Sequence, residues 1–386
     1  LVKMAFLLSI VIHYPLSIIH YPLSIEIDMS LSLCFAFIAS FSSLLTLRKF
    51  AKRIGLVDKP NERKHHEGQI PLIGGISIFL SLLFTLLLFT PLDKNVVLYI
   101  CCSTVLVGLG AIDDRFDISF KVRLVIQAAI SLAMILVGEK SLHNLGCLMG
   151  SEVIQLPLLV SYLVTILGVI GAINAFNMVD GIDGLLGGLA SVTFGALGVL
   201  FYQSGNTELA KYCLLIVVAI LPYILLNLGI PLGQRFKVFM GDAGSIFIGF
   251  TVIWLLIEAS QGARSNAIRP VTALWLIGLP LMDMVCIMVR RMRKGQSPFK
   301  PDREHLHHIC QRIGFSSRSS LLVICLMASI MAGVGIWSEL HSVNETIMFV
   351  AFLIAFAIYF YVIAYIWKIT AFIKKKVKVP VSSLNS

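Results

Sequence analysis

The chain reads as an all-α, polytopic membrane protein with about eleven transmembrane helices, on three features of its sequence. Of 386 residues, 58% are hydrophobic and 13% charged, against roughly 25% charged in soluble domains. Apolar runs close to the ~20 residues that cross a hydrocarbon core follow one another with short polar breaks. No long polar stretch remains from which a separate soluble domain would be built.

Residues 1–28 stand apart from this pattern. Ile12-His-Tyr-Pro-Leu-Ser-Ile18 is repeated at once as Ile19–Ile25, and Pro15 and Pro22 make a poor helix interior. The segment reads as an N-terminal appendage, followed by a transmembrane unit over 29–370 and a basic cytoplasmic tail over 371–386. Predicted spans lie at 29–47, 73–91, 96–112, 122–137, 156–173, 185–201, 212–228, 245–259, 271–289, 321–336 and 347–367. The eight cysteines form no CxxC pair and suggest neither a disulfide framework nor a zinc site.

Lysine and arginine orient the spans. Of 31 such residues, 25 fall on the side that follows the first span and six on the other. That split predicts the N-terminus outside and the C-terminus in the cytoplasm. The net charge of +10 therefore faces anionic headgroups and anionic ligands, and nucleic acid is not expected as a partner.

The acids gather on the same side. Asn174-Ala-Phe-Asn177-Met-Val-Asp180-Gly-Ile-Asp183-Gly184 places two amides and two carboxylates at steps of three between two apolar runs. In an α-helix those steps drift about 60° each and in a 3₁₀ turn they eclipse, so the four groups line one side. Polar groups at the mouth of two spans mark a ligand site more readily than lipid-facing surface; a hydrated inter-helix loop is the plainer alternative. Asp113-Asp114 closes the third span, Phe239-Met-Gly-Asp242-Ala-Gly-Ser245 opens the eighth, and His305-Leu-His307-His308 sits in the longest basic loop. Carboxylates and cations on one face suggest Mg²⁺ with phosphate, because Mg²⁺ takes oxygen ligands and shares them with substrate. Gly241 and Gly244 beside Asp242 would let backbone N–H groups approach a phosphate at a helix start. Adjacent helical residues point about 100° apart, which makes Asp113 and Asp114 awkward as one metal cage and favours Asp242. Asp283 reads equally as a buried functional acid or a helix-packing group.

These blocks together resemble the polyprenyl-phosphate N-acetylhexosamine-1-phosphate transferases, from about Arg48 to Lys376. Gly55-Leu-Val-Asp58-Lys-Pro-Asn61, Ile70-Pro-Leu-Ile-Gly-Gly75 and Ser297-Pro-Phe-Lys-Pro-Asp302-Arg303 are similar to the bacterial branch acting with undecaprenyl phosphate and UDP-N-acetylglucosamine. Arg115-Phe-Asp117 and the interrupting Leu306 depart from the muramoyl-pentapeptide branch. The resemblance implies transfer of N-acetylglucosamine-1-phosphate to undecaprenyl phosphate, with UMP released. Such a product starts an envelope polysaccharide such as O-antigen, at the cytoplasmic face of the inner membrane.

The resemblance also implies residue roles. Asp242 would bind Mg²⁺, or Mn²⁺ in its place, and Asp113 and Asp114 would be catalytic or orient the lipid phosphate. Asp180 and Asp183 would line the nucleotide pocket with Asn174, Asn177 and Asn227, and Phe239 would stack on the base. His305, His307, His308 and Arg303 would hold the pyrophosphate. Charge alone suggests Lys121 as a phosphate contact, and a homodimer is compatible with the family. The rival class is a secondary transporter for an anionic metabolite, which would be expected to show repeated halves and midplane charges; neither is evident.

Overall fold

The computed structural model describes residues 29–58, 68–262, 267–297 and 305–377, with side chains to 365. The appendage, Arg303 and most of the basic tail lie outside them. Thirteen helices run through the described residues. The first is α1 (Met29–Ile54), followed by α2 (Gly74–Phe89), α3 (Lys94–Phe116), α4 (Phe120–Leu136), α5 (Leu158–Met178), α6 (Leu185–Gln203) and α7 (Thr207–Asn227). Then come α8 (Gly241–Gln261), α9 (Pro270–Leu276), α10 (Gly278–Arg293), α11 (Leu306–Ile313), α12 (Ser317–Leu340) and α13 (Glu345–Val377).

Each predicted run is a helix or a broken pair of helices. Eight are long and apolar enough to cross a membrane, and the chain is a multi-pass helical membrane protein. The other three depart from expectation for local reasons. Helix α2 has 16 residues and α4 has 17, short of the usual span. Helices α9 and α10 meet at a 79° bend. There the carbonyl of Leu276 accepts a hydrogen bond from the Thr193 hydroxyl at 3.2 Å, since a backbone group freed by a break inside a membrane needs a partner.

Helix α8 is the hub. Its apolar residues run all round, as in a helix enclosed by others, and 89% of its membrane window is buried. Small residues let its neighbours approach backbone to backbone. A Cβ on Gly75 of α2 would fall 1.9 Å from Gly244 Cα, one on Gly110 of α3 would fall 2.4 Å from Ala243 Cα, and one on Gly249 would fall 2.6 Å from Ile173 Cα of α5.

At the end where α8 starts, a two-residue strand β1 (Val57–Asp58) pairs antiparallel with β2 (Ile70–Pro71). The next residue, Leu72, bridges in parallel to Phe239. The Phe239 N–H donates to the Pro71 carbonyl, and its own carbonyl accepts from Gly74 N–H, each at 2.9 Å. This ribbon joins the starts of α2 and α8, so both begin at a fixed height.

Gly75→Ala is expected to lower stability by about 1–3 kcal/mol through overpacking. Gly108→Ala, with nothing within 4 Å of its added methyl, should be neutral or stabilising by up to about 1 kcal/mol. Thermal melts of both purified variants check the contrast.

Candidate active site

The end of α3 and the start of α8 meet through a carboxylate. Asp114 accepts hydrogen bonds from the backbone N–H of Asp242 at 2.8 Å and of Ala243 at 3.2 Å. It therefore sits on the positive end of α8, where an anion is favoured. Gly241 allows the approach: its φ is +74°, and a Cβ there would lie 2.5 Å from Asp114 Oδ2. Gly241, predicted with Gly244 to open this helix start to a phosphate, instead admits a carboxylate of the protein, whereas Gly244 packs on Met240 and on Gly75 of α2. The reason is that Asp114 already occupies the free N–H groups.

Asp113 is turned elsewhere. Its Oδ1 accepts from Ile118 N–H at 2.8 Å, securing the turn into α4, and its Oδ2 accepts from Arg123 Nη1 at 2.5 Å. Arg123 also lies 3.9 Å from Asp242 Oδ2. Asn177 Nδ2 donates to Asp242 Oδ1 at 2.6 Å and to Ser245 Oγ at 2.7 Å. Two carboxylates, Asp113 and Asp242, thus share one guanidinium while Asp114 caps α8, and they differ in what is left over. Asp113 is 3% exposed with both oxygens engaged. Asp242 is 36% exposed, and its Oδ2 lies 3.9 Å from Arg123.

The polar block between α5 and α6 does not present one face to one ligand. Asn174 donates to Gln127 Oε1 of α4 at 3.1 Å and to the Ile170 carbonyl at 2.8 Å, while Asn177 turns to α8. Asp180 and Asp183 lie in the following turn. Asp183 Oδ2 pairs with Lys237 Nζ at 2.6 Å, and that ammonium stands 5.3 Å from the Phe239 ring centroid. Asn227 is 1% exposed. Its Oδ1 accepts from Gly184 N–H at 2.5 Å and its Nδ2 donates to the Val238 carbonyl at 2.8 Å. With both ends of the amide used inside the protein, Asn227 positions the turn against the segment before α8 and does not reach a ligand.

The histidines lie at the start of α11 and not in an extended loop. His305 is buried, with Nδ1 2.8 Å from Asp283 Oδ2. Asp283 Oδ1 also accepts from Leu306 N–H at 3.1 Å and from the Tyr359 hydroxyl at 2.8 Å. Asp283 is therefore a fully engaged acid that ties α10, α11 and α13 together. The His307 ring is parallel to His305 within 5°, with centroids 5.7 Å apart, and lies 4.2 Å from the His308 ring. It presses on the Asp180–Gly184 turn: a Cβ on Gly181 would sit 2.0 Å from His307 Nε2. That nitrogen is buried without a hydrogen-bond partner. Burial first, then the neighbouring His308, push the His307 pKa down to about 3.

Lys121 is exposed on the first turn of α4, and the cation that reaches the carboxylates is Arg123. Arg123, Lys237, Gln127 and Ser245 are the members that spacing did not reveal. Among the described residues, no group of three or more His, Cys, Asp or Glu side chains forms a metal cage.

Carboxylates, amides and cations thus gather at one end of a helical bundle, and similar proteins are transferases. The family model for glycosyl transferase family 4 matches residues 96–260. An undecaprenyl-phosphate alpha-N-acetylglucosaminyl 1-phosphate transferase of Escherichia coli K12 is 51% identical over 351 residues, covering 90% of this chain and 95% of that protein. The protein of the same name from Salmonella typhi is 53% identical over 330 residues, covering 85% and 89%. That from Haemophilus influenzae is 47% identical over 345 residues, covering 89% and 97%. The chain belongs to this family of transferases and is an enzyme of glycosyl transferase family 4.

The lowered His307 pKa has a sign that a titration can read. Below pH 6.5 the unfolded chain takes up a proton at this ring and the folded chain does not. Stability therefore falls as pH drops from 6.5 toward 3, by at most about 1.4 kcal/mol per unit. Melting temperatures between pH 7 and pH 4.5 should decline more steeply for the parent than for His307→Gln.

Proposed function

We propose that the enzyme transfers N-acetylglucosamine-1-phosphate from UDP-N-acetylglucosamine to undecaprenyl phosphate, releasing UMP. An oxygen of the lipid phosphate bonds to the sugar-bearing phosphorus as the bond from that phosphorus to UMP breaks. The observation that carries the reading is the partly exposed Asp242 at the start of α8, whose Oδ1 accepts from Asn177 and whose Oδ2 lies 3.9 Å from Arg123. The names of the relatives at about half identity support the lipid acceptor and the N-acetylglucosaminyl 1-phosphate group transferred.

The donor set fits Mg²⁺, with Mn²⁺ as a substitute, because that ion needs only one or two protein carboxylates beside substrate phosphates. Asp242 is the carboxylate with an oxygen to offer, and bound metal would supply charge neutralisation for the diphosphate. Asp114 positions Asp242 by holding the first turn of α8. Asp113 holds Arg123 toward the same place, where its guanidinium faces the charge of the phosphates. Neither Asp113 nor Asp114 has a lone carboxylate free to act as a base. None is needed, since a phosphomonoester with a second pKa of roughly 6 is largely dianionic at neutral pH. Direct in-line attack follows.

The nucleotide goes to the Asp183–Lys237–Phe239 side, with Asp180 beside it. Asn174 and Asn177 support that wall from α5, and Asn227 holds it from behind. His305, His307 and His308, with Arg303, take the pyrophosphate, and Lys121 meets phosphate at the rim. The bent pair α9–α10 counts as one crossing with α2 and α4 as two more, which gives eleven passes with the N-terminus outside. On that topology the site faces the cytoplasm of a bacterial inner membrane, residues 1–28 are dispensable, and the product starts an envelope polysaccharide such as O-antigen.

A membrane assay with a panel of UDP-sugars and undecaprenyl phosphate tests this directly. UMP release and lipid product should depend on UDP-N-acetylglucosamine. Asp242→Asn should cost on the order of 10²-fold or more, since loss even of a group that only supports a metal ligand costs roughly 10–100-fold. Equal use of other UDP-sugars, or an active Asp242→Asn, would defeat the assignment.

A further inference from the structure

A second concentration of charge lies at the same end of the bundle, outside the carboxylate cluster. A groove of about 610 Å³ opens between the end of α1, strand β2 and the segment before α8. Arg48, Lys49, Lys52, Arg235 and Lys237 line it, and among the described residues no acidic side chain does. Leu45, Arg48, Lys49 and Lys52 are at i, i+3, i+4 and i+7, one face of α1. Lys237 is neutralised by Asp183. The other four have no carboxylate partner among the described residues.

The arrangement is built and not merely a basic surface. The Arg48 guanidinium lies 4.8 Å from the Phe236 ring centroid, and its Nε is buried without a hydrogen-bond acceptor. Arg235 bears on it as a like charge. Like charges held together in a partly desolvated groove are unfavourable until an anion joins them. A nucleotide suits the groove poorly, because Arg48 covers the one aromatic face on which a base would stack. An amphipathic anion suits it well. Leu45 and Phe236 supply apolar wall beside the cations, and α1 turns Ile38 (62% exposed) and Phe50 (56% exposed) outward along the same helix.

We propose that this groove binds the phosphodiester headgroup of an anionic membrane phospholipid, with Leu45 and Phe236 against its glycerol and first methylenes. Basic pockets at the cytoplasmic ends of membrane helices take such headgroups. Lys237 shares the groove with these cations while pairing with Asp183, so the lipid lies one residue away from the nucleotide wall. The inference rests on the membrane reading of the helices and not on the proposed reaction.

The test is native mass spectrometry of the purified full chain titrated with dioleoyl phosphatidylglycerol or dioleoyl phosphatidylcholine. The expected result is one phosphatidylglycerol retained with clear preference over phosphatidylcholine. Lys49→Gln/Lys52→Gln removes two exposed charges without touching the core. It should weaken that retention roughly thirtyfold, with the melting temperature unchanged. Equal retention of both lipids, or full retention by the double variant, overturns the proposal. Stoichiometric displacement by UDP-N-acetylglucosamine or by undecaprenyl phosphate also overturns it, by giving the groove to a substrate. Transferase activity is read separately, so failure of the lipid site and failure of the reaction assignment remain distinct.

Discussion

The structure turns on one carboxylate at one helix end. Asp114 closes the first turn of α8 by accepting two of its free N–H groups. Four such groups are orphaned at any helix start, and at the edge of a membrane they cannot count on bulk water. The hydrogen bonds also set where α3 and α8 cross, and Gly110 and Gly241 let the two helices close to that distance. Helix α8 then stands at the centre with its polar first turn presented at one end. Asp242 is the residue that this turn leaves facing outward.

Around that anchor, polar groups divide into those spent inside the protein and those left for a ligand. Asn227, Asp113 and Asp283 are spent: each is nearly fully buried with its acceptors engaged. Their cost of burial is offset by the hydrogen bonds they make. Asn227 and Asp283 join segments distant in sequence, at the turn before α6 and at the start of α11, and Asp113 secures the nearby turn into α4. Asp242 Oδ2 and His307 Nε2 are the atoms left over. The chemistry is expected where satisfaction is incomplete.

Much of this was legible in the sequence. Apolar runs marked all eight helices that are long and apolar enough to cross a membrane. The acids, amides and histidines of the site were all visible as blocks on one side. What spacing could not give was pairing across helices. The i, i+3 pattern of residues 174–184 suggested one polar face, but Asn174 and Asn177 are drawn to different neighbours, Gln127 and Ser245. Arg123 was hidden because Lys121, nearer the helix start, looked equally placed. The break between α9 and α10 was hidden because both halves are apolar, and the α6 hydroxyl that meets the Leu276 carbonyl there is distant in sequence.

The central claim is that Asp242, held out by Asp114, carries the metal at the donor diphosphate. Electron paramagnetic resonance of Mn²⁺ bound to the full chain with UDP-N-acetylglucosamine reads this without turnover. The account predicts a bound ion with coupling to donor phosphorus that is lost in Asp242→Asn and kept in Asp113→Asn. Loss of the signal in Asp113→Asn with retention in Asp242→Asn would contradict it.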